Sequence, residues 1–108
     1  MNGTSDIYLQ DEGTINIGAG NDLKIYHDGS NSYIDEQGTG DLLIRGTNVK
    51  LRSAGNEDFI VCTTNGSVEI RHDDVKKFET TAAGITVTGT ALATTDTDTS
   101  NTGNVTLD

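Results

Sequence analysis

The chain contains no proline and no tryptophan, and Cys62 is the one cysteine among its 108 residues. A lone cysteine excludes an intramolecular disulfide framework, and a small protein without disulfides fits assembly in a reducing cytoplasm. No apolar run approaches the length of a membrane-spanning helix. The first six residues lack the basic and apolar regions of a signal peptide. We therefore expect neither membrane insertion nor secretion through a signal peptide.

Basic residues are scarce as well. Seven lysines and arginines stand against 17 acidic residues, which gives a net charge of −10. This balance argues against a nucleic-acid-binding protein, which needs basic residues on phosphate, and equally against docking on an anionic membrane. We expect the acidity to favour solubility and to limit non-specific association.

Large apolar side chains are few. Isoleucine, leucine, valine and phenylalanine together make 24 of the 108 residues, a fraction just above the range of about 20% below which chains tend to be disordered. A single copy would bury little apolar surface against the entropy cost of ordering its backbone. We therefore expect other chains to supply much of the stability. The alternative is a small monomeric β-sandwich or roll.

Helical periodicity is absent, and short strand patterns fill the chain. An apolar residue, any residue and a second apolar residue recur as a triplet, usually bounded by Gly, Asn, Asp, Ser or Thr. This pattern predicts an all-β protein of very short strands. The triplets are residues 7–9, 15–17, 23–25, 42–44, 49–51, 68–70, 85–87 and 105–107.

Residues 21–46 organise the rest of the sequence. Leu23, Ile25 and His27 alternate with polar neighbours, the period of a strand with one buried face. Asp28-Gly29 then predicts a turn, followed by a return strand and, after a glycine break, the strand 42–44. The sequence 67–89 repeats this plan: 25–28 matches 70–73 at an offset of 45 residues, and Tyr33 matches Phe78 at the same offset.

The strongest single turn signal is Asn65-Gly66, which predicts a type I′ hairpin. It follows the apolar run 59–62, which we expect to be the most buried strand.

The polar, threonine-rich end is typical of a linker or a disordered terminus, and the triplet that begins just before residue 108 suggests a fragment of a longer chain. The predicted organisation is a β-fibre repeat region 1–92, with two strands in 7–20 and modules at 21–46 and 67–89, then a linker 93–108.

Candidate chemistry centres on two repeated dyads, His27-Asp28 and His72-Asp73. Neighbours in a strand face opposite sides, so neither carboxylate can orient the adjacent imidazole, and we predict no catalysis. If three chains wrap a common axis, one inward histidine per chain would place three imidazoles at one level, a metal or anion site. A histidine bonded to backbone near a turn is the alternative.

Other polar motifs fit turn chemistry. The acid pairs Asp35-Glu36 and Glu57-Asp58 have no second pair at a distance suited to glycoside hydrolysis. Gly18-Ala19-Gly20 is followed by no helix that could bind a phosphate, and Asp11-Glu12-Gly13 lacks the spacing of a calcium loop. We assign no catalytic, cofactor-binding or metal-binding residue from these motifs.

Three phrases of the sequence resemble the repeated modules of bacteriophage tail-fibre and virion structural proteins, especially those of marine cyanophages. They are residues 21–34, 75–81 (VKKFETT) and 84–90 (GITVTGT). The resemblance implies an elongated, intertwined homotrimer with a triple β-helix or β-prism shaft. It also implies a virion location, other tail proteins and host-surface glycans as partners, and no enzyme activity or cofactor.

Two further functions stay open at the level of sequence. One is a carbohydrate-binding or polysaccharide-depolymerising trimeric β-helix, with Tyr8, Tyr26 and Tyr33 stacking on sugars and Asp35-Glu36 lining an inter-chain groove. The low aromatic content of 5% argues against it. The other is a small monomeric β-domain that packs within a larger particle.

Overall fold

The computed structural model describes residue 3 and residues 5–91, and these form an all-β protein with no helix. This confirms the predicted class. The chain divides into two compact units with the boundary between Leu43 and Ile44, and each unit holds one antiparallel sheet. The strands are β1 (Thr14–Ile17), β2 (Leu23–His27), β3 (Ser32–Glu36), β4 (Asn48–Arg52), β5 (Asp58–Thr63), β6 (Val68–His72), β7 (Val75–Thr81) and β8 (Gly84–Val87).

The first unit is a meander in the order β1-β2-β3. Its register places Ile15 opposite Ile25 and Ile25 opposite Ile34, so the three isoleucines form one row across the sheet. Because side chains alternate, His27 shares this apolar face, and Tyr26 and Tyr33 lie on the other face. The predicted orientation of Leu23, Ile25 and His27 is confirmed.

Gly18 makes the turn from β1 to β2 possible. Its φ is +97°, a region that L-residues rarely adopt. A Cβ at this position would also collide with the Asp22 carboxylate. The turn is closed by the Asn21 amide, which donates to the Gly18 carbonyl at 3.1 Å. Gly18 therefore has a structural role, as the sequence indicated for this glycine-rich segment.

The second unit is a meander in the order β4-β5-β6-β7-β8. Its register aligns one apolar residue from every strand into a single row. The row consists of Leu51, Ile60, Ile70, Phe78 and Val87. A second row on the same face consists of Val49, Cys62, Val68, Thr80 and Ile85. The two rows therefore run side by side across all five strands, and Thr80 is their one polar member.

The predicted hairpin at Asn65-Gly66 is present, but the predicted type I′ turn there is wrong. The Thr63 amide donates to the Ser67 carbonyl at 3.0 Å, so the loop has three residues, and Asn65 but not Gly66 has a positive φ. The two-residue turn with both φ values positive lies at Asp73-Asp74, at +50° and +62°. Strand pairing on either side, rather than the Asn-Gly dipeptide, decided the loop length.

The Asp73-Asp74 turn offers a route to higher stability. An L-residue in the left-handed region costs free energy that glycine does not incur. We therefore expect Asp73→Gly to raise the free energy of unfolding by about 1 kcal/mol in urea titrations. The control is Asp35→Gly within β3, where glycine should lower stability; equal effects at the two positions would contradict this account.

Two predicted strands are wrong. Residues 7–9 and 42–44 have no strand partner. Their apolar side chains are exposed: Ile7 by 88% and Leu43 by 73%. A strand exists only when its backbone groups pair with a neighbour, and neither triplet has one among the described residues. The triplet 105–107 and the predicted linker 93–108 lie outside the described residues.

The alignment of the two modules needs one correction. Tyr33 and Phe78 match in sequence but lie on opposite faces, because Tyr33 pairs with Tyr26 and Phe78 pairs with Ile70. In β6–β7, the turn at Asp73-Asp74 and a bulge in β7 shift the pairing relative to β2–β3, where the Asp28 amide donates to the Asn31 carbonyl at 3.0 Å. The structural equivalent of Phe78 is therefore Ile34.

Candidate functional site

The most prominent surface of the described chain is the apolar side of β4–β8, here called the five-strand apolar face. It comprises the two rows given above, and it contains one polar residue, Thr80. Several members are open to solvent in the single chain: Leu51 is 51% exposed, Ile70 46% and Ile85 48%. A contiguous exposed apolar surface of this kind marks an interaction site on a soluble protein.

The opposite face of the same sheet carries the charges. Arg71 pairs with Glu69 at 2.6 Å, and Lys76 pairs with Glu79 at 2.7 Å. These contacts lower the pKa of Glu69 and raise the pKa of Lys76. At the edge of the unit, the Arg52 guanidinium lowers the pKa of Asp58 at 2.6 Å. The pairs lie near the surface, where each contributes little stability.

In β6, burial is inverted relative to an ordinary sheet. Glu69 and Arg71 are half-buried, whereas Ile70 between them in β6 is exposed. Val61, the one buried apolar residue of the described chain, lies on the charged side between Lys50 and Glu69 in register. The prediction that the apolar run 59–62 forms the most buried strand is confirmed, because β5 is the one strand of the described chain that contains a buried residue. Among the described residues, the one fully buried side chain thus lies on the charged side, and much of the apolar side is open to solvent.

The apolar face of the first unit forms an open groove of about 580 Å³. The leading segment contributes Ile7 and Leu9 to its lining, and the sheet contributes Ile15, Ile25 and Ile34 together with His27. Ile25 is 38% exposed and Ile34 60% exposed. Both units thus present an apolar sheet face that their own residues leave uncovered.

His27 hydrogen-bonds within its hairpin: its Nδ1 lies 2.9 Å from the Ser32 Oγ. The alternative of a histidine bonded near a turn is therefore close to what the structure shows, although the partner is a side chain and not backbone. Asp28 does not orient His27, because its carboxylate serves the turn. The dyad is not a catalytic pair.

The Asp28 carboxylate is the centre of the β2–β3 turn. It accepts hydrogen bonds from the Asn31 amide at 2.7 Å, the Tyr33 hydroxyl at 2.7 Å and the Ser30 amide at 2.9 Å. The bond from Asn31, followed by that from Tyr33, lowers the Asp28 pKa to about 2. The hydrogen bond to the Asp28 carboxylate also raises the pKa of the Tyr33 hydroxyl.

This arrangement predicts a pH dependence. Because the pKa of folded Asp28 lies below its unfolded value of 3.8, the turn is fully stabilised above that value. The stabilisation is lost as the pH falls from 3.8 through about 2. We expect the Asp28 carboxyl resonance to titrate near pH 2 by NMR, and Tyr33→Phe to move its midpoint upward.

Tyr26→Phe is the matched control, since Tyr26 stacks on Tyr33 with a centroid distance of 4.6 Å and takes no part in the bonds to Asp28. The midpoint of the Asp28 titration in Tyr26→Phe should stay near the midpoint in the unsubstituted protein. A common shift in both variants would show that the hydrogen bond from the Tyr33 hydroxyl is not what holds the Asp28 pKa down.

The second dyad is likewise divided by the fold. His72 ends β6 on the apolar side, and Asp73 lies in the turn that follows. Within the described part of the chain, no group of three or more histidine, cysteine, aspartate or glutamate side chains could hold a metal ion. A site made of one histidine from each of several chains stays a prediction.

The remaining candidate residues have local partners. Asp35 accepts a bond from the Gln37 side chain at 2.7 Å, and Glu36 accepts one from the Gly38 amide at 2.6 Å. The two acids point to opposite faces of β3. Tyr8 is 85% exposed. Asp35 shares a face of the sheet with Tyr26 and Tyr33, and Glu36 lies on the other face.

No family model matches the chain, and neither a curated protein nor a solved structure matches it. In residue 3 and residues 5–91 there is no helix long and apolar enough to cross a membrane. The sequence pattern identified the apolar residues of each strand singly. Sequence analysis did not predict that these residues align into continuous rows, because the alignment depends on the register between strands.

Proposed function

We propose that this chain is a self-associating structural segment of a phage tail fibre or spike, which forms a homotrimeric shaft and supports attachment to the host surface. One observation carries the proposal: the five-strand apolar face is continuous across a whole sheet and uncovered in the single chain. The phage-module phrases of the sequence supply the biological setting.

The energetic argument is direct. Burial of apolar surface is worth roughly 25 cal/mol per Å², and it is the main favourable term in folding and association. A single chain buries one apolar side chain, Val61, among its described residues. Covering Leu51, Ile70 and Ile85 with other copies would supply the burial that the isolated sheet lacks.

A threefold arrangement suits this distribution of side chains. Three copies of one sheet can form a prism whose apolar faces meet around an axis while the charged faces remain in water. The ion pairs Arg71–Glu69 and Lys76–Glu79 would then line the outside. The net charge of −10 per chain would keep such a rod soluble and limit lateral aggregation.

The test is the absolute mass in solution, by light scattering on a sizing column or by sedimentation equilibrium. We expect three times the 11.4 kDa of one chain and elongated particles by electron microscopy. A folded monomer at all concentrations would overturn the proposal and favour the small monomeric β-domain. Clear binding on a glycan array, or cleavage of a capsule polysaccharide, would favour the carbohydrate-directed alternative.

A further inference from the structure

The sheet of the first unit lacks a strand that its counterpart in the second unit has. The hairpin β2–β3 is equivalent to β6–β7, since Ile25 corresponds to Ile70 and Ile34 to Phe78 in the two registers. In the second unit β8 follows and pairs with β7. In the first unit the outer edge of β3 is the end of the described sheet.

The residues that match β8 in sequence are present but unpaired. Residues 42–46 (LLIRG) align with 85–89 (ITVTG), yet they form no strand. Leu42 is 43% exposed, Leu43 73% and Ile44 64%. An exposed apolar segment outside any strand and the edge strand of the described sheet are complementary, because strand addition pairs the backbone groups of both.

In the structure, the segment does not close on its own β3. Past β3 the backbone runs on beside Asp22: the Gln37 amide donates to the Asp22 carbonyl at 2.7 Å. The Gly38 amide then donates to the Glu36 carboxylate. A Cβ on Gly38 would approach the Asp22 Cβ to 3.1 Å. These contacts extend the β2–β3 ladder to Asp22 and Gln37, after which the chain bends over residues 38–40 and forms no strand pair with β3.

We propose that residues 42–44 of one copy add to the outer edge of β3 in a second copy, as the fourth strand of its first sheet. The register follows from β7–β8, where Phe78 pairs with Val87 and Thr80 with Ile85. Ile44 therefore lies opposite Ile34, and Leu42 opposite Glu36. The row Ile15–Ile25–Ile34 gains a fourth isoleucine. This exchange rests on the proposed self-association and specifies one contact that makes it.

Interchain disulfide trapping tests the register. Two chains are prepared in a Cys62→Ser background, one with Ile34→Cys and a mass tag, the other with Ile44→Cys. They are unfolded together in urea, refolded together and oxidised. Directly opposite Cβ atoms lie roughly 4.5–5.5 Å apart, near enough for a disulfide after small adjustment. Both positions are exposed, by 60% and 64%, so the substitutions should be tolerated.

We expect the tagged–untagged heterodimer as the main disulfide product. Asp35→Cys in place of Ile34→Cys is the control, since residue 35 faces the opposite side, and its yield should be several-fold lower. A third sample is the single chain with both Ile34→Cys and Ile44→Cys.

The outcomes separate the two proposals. A protein of trimer mass with no heterodimer above the control would overturn the strand exchange and leave self-association intact. Closure of the doubly substituted chain on itself, in a monomer, would show that the fourth strand comes from the same copy. A monomer at all concentrations with no heterodimer would overturn both.

Discussion

Ile70→Asp should convert the associated protein into monomers. Ile70 occupies the middle of the five-residue row on the five-strand apolar face and is 46% exposed in the single chain. In an assembly its side chain would be buried against other copies, and a buried unpaired carboxylate costs at least about 3 kcal/mol. A penalty of this size lowers the association constant more than about a hundredfold for each contact. The readout is the mass by sedimentation equilibrium.

Adjacent residues of β8 offer a matched pair of controls. Ile85 lies on the five-strand apolar face, and Thr86 lies on the charged face opposite Glu79. Ile85→Lys should lower the mass, whereas Thr86→Lys should leave both the mass and the circular dichroism spectrum unchanged. Full-size assemblies of Ile70→Asp, or equal losses in the two lysine variants, would rule out this face as the contact between copies.

Val61→Ala should weaken the fold without removing the contact between copies. Val61 is 8% exposed, the lowest value among the described apolar residues, and it lies on the charged side of β5. The change removes two buried carbon atoms at about 0.8 kcal/mol each, and partial collapse of the cavity adds to this. We expect a loss of about 2 kcal/mol in the free energy of unfolding at fixed protein concentration.

Thr63→Ala is the control for Val61, since it lies two residues along on the same side of the same strand and is exposed. It should change stability by no more than about 0.5 kcal/mol. At denaturant concentrations below its unfolding transition, Val61→Ala should have the same mass in solution as the unsubstituted protein. Dissociation of folded Val61→Ala would show that the two faces are not energetically separate.

The strands themselves were largely predictable. Alternation of apolar and polar residues identified β2, β6 and β8, together with the faces of Leu23, Ile25 and His27. This works because the side-chain period of a strand is a local property of the backbone. The absence of helix periodicity likewise predicted the all-β class, which the described residues confirm.

Local pattern failed where the outcome depends on a partner. Residues 7–9 and 42–44 carry the same triplet as true strands, yet without a neighbour they form none. Tyr33 and Phe78 align in sequence but lie on opposite faces, because a bulge in β7 shifts the register by one residue. The type I′ turn formed at Asp73-Asp74 and not at Asn65-Gly66, because the pairing of the flanking strands decides the length of each loop.

The candidate surface shows the same division. The amino-acid sequence alone determined that the strands are short, that several of them alternate apolar with polar residues, and that the protein is strongly acidic. The tertiary structure decided that five strands pair in a register that joins Leu51, Ile70 and Val87 in one uncovered row. The physical reason is that alternation is set within a few residues, whereas register is set by hydrogen bonds between distant segments.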